Sequence, residues 1–161
     1  IFNSPANYDY VIVRYHNVFG PRMGFAHVIP EVLHRLIKKE NPFKIIGGDQ
    51  TRSFCYIDEA ITQTILSMEE ANLKNEIVHI GNGDNEISIA DLINTIIQLS
   101  HLQPNNVINL SAPKASVNRR CPNTNKIKQF AFYQPTYSFV DGLSITVDWY
   151  KNEISTRGVW E

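Results

Sequence analysis

Arginine is the residue type here whose chemistry is easiest to place. Its guanidinium offers a planar fork of donors that suits phosphate oxygens better than the point charge of a lysine. Arg52 and the adjacent Arg119 and Arg120 are among the arginines with that chemistry. Taken by themselves they read as the end of a surface strand and a solvated basic corner. Asn17 follows an apolar run at its carboxyl end, where open α/β sheets place ligands, and an amide there can donate to a phosphate or satisfy the turn at Gly20-Pro21. His27, beside a helix start, could reach a phosphate or sugar hydroxyl, although a lone histidine at such a terminus more often caps or faces solvent.

Catalytic arrangements are missing. Gly81-Asn82-Gly83 begins a G-x-G turn after an apolar run, but Glu86 holds the third glycine position, a bulky anion where a dinucleotide pyrophosphate would have to approach. None of the seven tyrosines has a lysine four residues later, so the tyrosine base of short-chain dehydrogenases has no counterpart. There is no serine or cysteine elbow, paired-histidine motif or phosphate-binding Walker loop. Cys55 and Cys121 form no C-x-x-C pair and no histidine stands at metal-ligand spacing, so no metal site is expected. By residue chemistry the chain is a binding module with no catalytic residue.

The elements that must position these residues alternate. Tyr10 to Tyr15 reads as a buried parallel strand, and the apolar spacing from Ala26 to Lys39 as a helix with Pro30 in its first turn. Phe43 to Ile46 and Ser53 to Ile57 read as strands, with Asp58 suited to cap a helix over Ala60 to Ala71. After a strand at Ile77 to Ile80, Ser88 and Asp91 make a capping pair that opens a helix to about Ser100. Val107 to Leu110 reads as a short strand, Asn123 to Phe132 as a helix, and Ser138 with Asp141 as the cap of a last helix to about Glu153. Strand and helix in alternation define an α/β layer structure.

With 161 residues, 43% of them hydrophobic, one folded unit over residues 1–161 is expected. Fifteen basic residues against sixteen acidic ones create no field that recommends nucleic acid or an anionic membrane as partner. No apolar run reaches the roughly twenty residues of a membrane span, no export signal precedes the first strand, and the sparse cysteines suit a reducing compartment, so a cytoplasmic protein is expected.

Four segments occur in the order of a known family. Arg14-Tyr15-His16-Asn17-Val18-Phe19-Gly20-Pro21-Arg22, Gly48-Asp49-Gln50-Thr51-Arg52-Ser53-Phe54-Cys55-Tyr56-Ile57-Asp58, Arg119-Arg120-Cys121-Pro122-Asn123-Thr124-Asn125-Lys126, and Phe132-Tyr133-Gln134-Pro135 through to Trp149-Tyr150 together resemble the extended short-chain dehydrogenase/reductase family of nucleotide-sugar epimerases and dehydratases. That resemblance implies the end of a Rossmann-type parallel sheet plus a small mixed α/β substrate-binding domain. It implies nucleotide-sugar contacts at Asn17, Arg52, and Arg119 or Arg120, a base-pocket wall at Phe43, and places for Tyr15 and His16 beside the nicotinamide of NAD. His16 stands where phenylalanine is usual, Ser53 where an acid is usual, and Ala131 where glycine is common. In complete members these motifs follow the glycine-rich loop and the tyrosine–lysine pair. The chain is therefore expected to be a carboxy-terminal half whose NAD-binding half is missing, inactive and NAD-free alone, with a homodimer open as the assembly of the complete protein. A stand-alone, non-catalytic nucleotide-sugar-binding or scaffold domain is the alternative.

Overall fold

The computed structural model describes residues 8–157. The chain runs β1 (Val11–Tyr15), β2 (Val18–Phe19), α1 (Val28–Ile37), β3 (Phe43–Ile46), β4 (Thr51–Ser53), β5 (Cys55–Tyr56), α2 (Ile57–Glu69), β6 (Glu76–Ile80), β7 (Glu86–Ser88), α3 (Ile89–Ser100), β8 (Val107–Leu110), β9 (Arg119–Arg120), α4 (Asn125–Ala131) and α5 (Phe139–Arg157). Four small sheets result: β1 beside β6, β2 beside β5 and β3 beside β8, all parallel, and a three-stranded sheet in which β4 lies between antiparallel β7 and parallel β9. The architecture is the α/β one expected, with a Rossmann-like parallel pair at one end.

Two cores divide the work. The larger joins α1, α3 and α5 through Ile29, Leu33, Leu92, Ile96, Leu143 and Tyr150. The helices commit these faces because their apolar residues recur three and four apart. α3 starts where Ser88 Oγ accepts from the Asp91 amide at 3.0 Å, and α5 is preceded by a reciprocal pair in which the Ser138 amide donates to the Asp141 carboxylate at 3.2 Å and the Asp141 amide to Ser138 Oγ at 3.1 Å. Both caps are the sequence-local ones. α5 then lies directly on β5, for a Cβ on Gly142 would meet the Tyr56 ring at 2.6 Å.

The smaller core gathers Ala60, Leu73, Val78, Ile80, Ile127 and Tyr133 between α2, β6 and α4. Here expectation and structure part. α2 begins at Ile57, not Ala60, with Tyr56 as N-cap and no side-chain cap bond, so Asp58 lies in the first turn and caps nothing. The expected strand from Ser53 to Ile57 is broken at Phe54 into β4 and β5, which join different sheets. Val11, Ile12 and Val13 are only half-buried and Tyr10 and Tyr15 are exposed, because β1 has one strand neighbour among the described residues, where a buried parallel strand has two.

Candidate functional site

The three-stranded sheet sets the arginines. Register places Arg52 opposite Arg120 and Thr51 opposite Arg119, so alternation puts Arg52 and Arg120 on one face and Arg119 on the other. On its face Arg119 is taken by Glu86, with Nε donating at 2.9 Å and Nη2 at 2.7 Å. Hydrogen bonds from Thr51 and then from Arg119 hold the Glu86 carboxyl below its usual range. The Arg120 side chain makes no hydrogen bond or ion pair among the described residues and is exposed. Burial first, and the Arg120 charge second, push the Arg52 guanidinium below its ordinary value. Two cations so placed make a seat for an anion, since an anion shared between them removes their mutual repulsion.

Arg52 is also heavily engaged. Nη1 donates to the carbonyls of Thr51 at 2.7 Å and Asn118 at 3.1 Å, and Nη2 to Gln50 Oε1 at 3.1 Å and the Val117 carbonyl at 2.7 Å. Asn17 and Phe43 are engaged elsewhere in the fold, and His27 is not. Asn17, in the left-handed region at φ 41°, turns the chain after β1, and its amide donates to the Ser53 carbonyl at 2.8 Å, which ties β1 to β4. That contact is with Ser53 rather than with the Gly20-Pro21 turn. Phe43 is fully buried with the Arg35 guanidinium 4.6 Å above its ring, so it forms core and not an open wall. His27 is the exposed N-cap of α1 and makes no side-chain cap bond.

Tyr15 and His16 diverge instead of sharing a surface. Tyr15 Oη pairs with Thr64 Oγ1 on α2 at 3.0 Å, and His16 Nε2 pairs with His79 Nδ1 on β6 at 2.5 Å. Burial, then His79, then Arg14 lower the His16 pKa from its ordinary 6.5. A folded pKa below the unfolded one means that the unfolded chain binds more protons just under pH 6.5, so the His16 contribution to stability is lost as pH falls through that window. His16→Phe should flatten the acid limb of a plot of thermal midpoint against pH; an unchanged limb removes His16 as its source.

The Gly81–Gly83 turn does not fit a dinucleotide. A Cβ on Gly81 would meet Pro122 at 3.0 Å, and one on Gly83 the Pro122 carbonyl at 2.6 Å, so these glycines admit the chain entering α4, and β7 rather than a helix follows. The peptide of Gly81 is gripped by Gln63, whose Oε1 accepts from its amide at 2.9 Å and whose Nε2 donates to its carbonyl at 3.0 Å. Gln63 and Glu59, whose Oε1 accepts from the amides of Thr136 at 2.8 Å and Tyr137 at 2.7 Å, went unnoticed in the sequence. Their signal was there: Glu59, Gln63 and Ser67 recur four apart, and that polar stripe is a buried face of α2. Burial, then Glu59, pushes the Cys55 thiol up to about 12, which leaves it unreactive. Among the described residues no group of three side chains could hold a metal ion, and no helix is long and apolar enough to cross a membrane.

Comparison with known proteins agrees with this frame. The NAD dependent epimerase/dehydratase family matches residues 2–81. UDP-glucuronate 4-epimerase of Thermodesulfobacterium geofontis is 35% identical over 91% of this chain and 44% of its own length. UDP-N-acetyl-alpha-D-glucosaminuronate decarboxylase of Bacillus cytotoxicus is 31% identical over 87% of this chain and 46% of its own. The structure of UDP-glucuronic acid 4-epimerase from Bacillus cereus in complex with UDP-glucuronic acid and NAD aligns with a TM-score of 0.78 at 30% identity, over 89% of this chain and 45% of that one. The chain belongs to the NAD-dependent epimerase/dehydratase family. It spans about half the length of these relatives.

Proposed function

We propose that this chain forms the sugar-nucleotide-binding part of an NAD-dependent epimerase or dehydratase that acts on a UDP- or dTDP-sugar by transient hydride transfer. The observation that carries this reading is the pairing of Arg52 with Arg120 on one sheet face, from segments far apart in sequence, with Arg120 open to a ligand. A diphosphate seated there answers both charges. On this reading the chain, which carries neither a dinucleotide glycine loop nor a tyrosine with a lysine four residues later, is expected to bind no NAD and turn nothing over by itself. A glycine-rich βαβ unit would supply them.

One edge of β1 is unpaired among the described residues, and this supports that division. Beside it α2 leaves Ile61, Ile65 and Met68 exposed, an apolar surface suited to a further parallel strand and its helix. Mass spectrometry of the intact protein with UDP- and dTDP-sugars, paired with a fluorescence titration of the isolated chain with NADH, tests the proposal. We expect a retained nucleotide sugar and no NADH binding. Saturable NADH binding by the isolated chain, or no retention of any nucleotide by the complete protein, would defeat it.

A further inference from the structure

The segment between β8 and β9, Ser111 to Asn118, crosses the edge of the three-stranded sheet as an exposed strap. Side chains hold it together with the Thr51 amide, which donates to the Asn118 carbonyl at 2.9 Å. The carbonyls of Val117 and Asn118 accept from Arg52 at 2.7 and 3.1 Å, and Ser116 Oγ donates to Gln50 Oε1 at 3.0 Å. Gln50 Oε1 also accepts from Arg52 Nη2 at 3.1 Å, so Gln50 and Arg52 form one latch. Gln50 is buried, yet its Nε2 has no hydrogen-bond partner among the described residues. The latch is therefore incompletely satisfied, and a polar group left so is costly.

On the nucleotide-binding reading above, the same guanidinium faces two claims. Each Nη already serves one strap carbonyl and one acceptor on Gln50 or Thr51, so a diphosphate arriving beside Arg120 can gain a forked contact with Arg52 only by displacing the strap carbonyls. A phosphate oxygen carries charge and a peptide carbonyl does not, so the exchange favours the ligand. We propose that the strap is a ligand-displaced latch: diphosphate binding at Arg52 and Arg120 releases Ala112 to Val117, and the latched strap holds nucleotide affinity below its limit. Gln50 is then a positioning residue that acts through Arg52 and never touches the ligand.

Loosening the latch must therefore tighten binding, because apparent affinity scales with the fraction of protein already competent. That sign separates the proposal from a merely structural role, in which the same changes would weaken binding. Lys114 sits exposed in the strap and offers a tryptic site that reports its release. In the complete protein, saturating UDP should speed cleavage after Lys114, read by fragment mass, by roughly threefold or more, as expected of a locally opened segment. Gln50→Ala should raise basal cleavage at that bond and lower the dissociation constant for UDP by roughly two- to fivefold. Ser116→Ala, on the strap side and only partly buried, should shift both readings the same way and guards against a Gln50 variant that folds poorly. UDP that binds while cleavage after Lys114 stays constant or slows, or a Ser116→Ala protein that binds UDP more weakly, overturns the latch alone. No binding of UDP by the unaltered protein overturns the nucleotide reading and the latch together.

Discussion

Arg120→Ala is expected to weaken nucleotide-sugar binding by the complete protein roughly ten- to a hundredfold, the effect of deleting one charge-assisted contact to a phosphate. The guanidinium has no partner among the described residues to compensate for, so its removal costs the ligand and not the fold. Arg120→Lys should recover part of the loss, since an ammonium cannot grip two oxygens with one planar fork. Arg119→Ala is the internal control. That guanidinium is spent on Glu86 on the opposite face, and removing it should leave the dissociation constant close to its starting value. Calorimetry on the three variants decides; equal losses at Arg119 and Arg120, or no loss at Arg120, would show that the sheet register does not set the phosphate contact.

The second large effect is on stability. Phe19→Ala should lower the unfolding free energy by about 3–5 kcal/mol, the range for deleting a fully packed aromatic ring. Phe19 is 1% exposed and lies 6.2 Å from the Phe54 ring, 5.8 Å from Tyr56 and 5.7 Å from Phe139, so it joins β2, β5 and the start of α5. Its neighbours Asn17 and Phe54 flank the junction that carries Arg52, and the same variant should therefore loosen the arginine pair. Phe19→Leu, which keeps most of the apolar volume, should cost well under half as much. Urea denaturation followed by circular dichroism measures both. A Phe19→Ala loss near 1 kcal/mol would mean that the site surrounding the ring collapses to fill it.

Much of the scaffold was legible along the chain because its determinants are local. The caps at Ser88 and Ser138 form with residues three positions away, and α1 and α3 advertise their buried faces through apolar spacing, so no distant contact is needed to read them. The start of α2 is not legible locally, because Asp58 has cap chemistry while Tyr56, held by β5 and packed against α5, sets the first turn. Strands β2, β7 and β9 are two or three residues long and carry no period to detect; they exist only by virtue of their partners.

The same division runs through the site. Residue type and order determined by themselves that this is an α/β chain of the epimerase/dehydratase family, with arginines suited to phosphate and no glycine loop for a dinucleotide. Which arginine is left open was decided only in three dimensions. Arg119 and Arg120 are adjacent and chemically identical, and strand alternation turns them to opposite faces, so the register with Thr51 and Arg52 and the position of Glu86 assign one to an ion pair and leave the other open. Asn17 and Phe43 were likewise claimed by contacts from afar, the Ser53 carbonyl and the Arg35 guanidinium, that no local pattern encodes. Chemistry is written in the side chain, but its availability depends on which partners the fold brings within hydrogen-bonding distance.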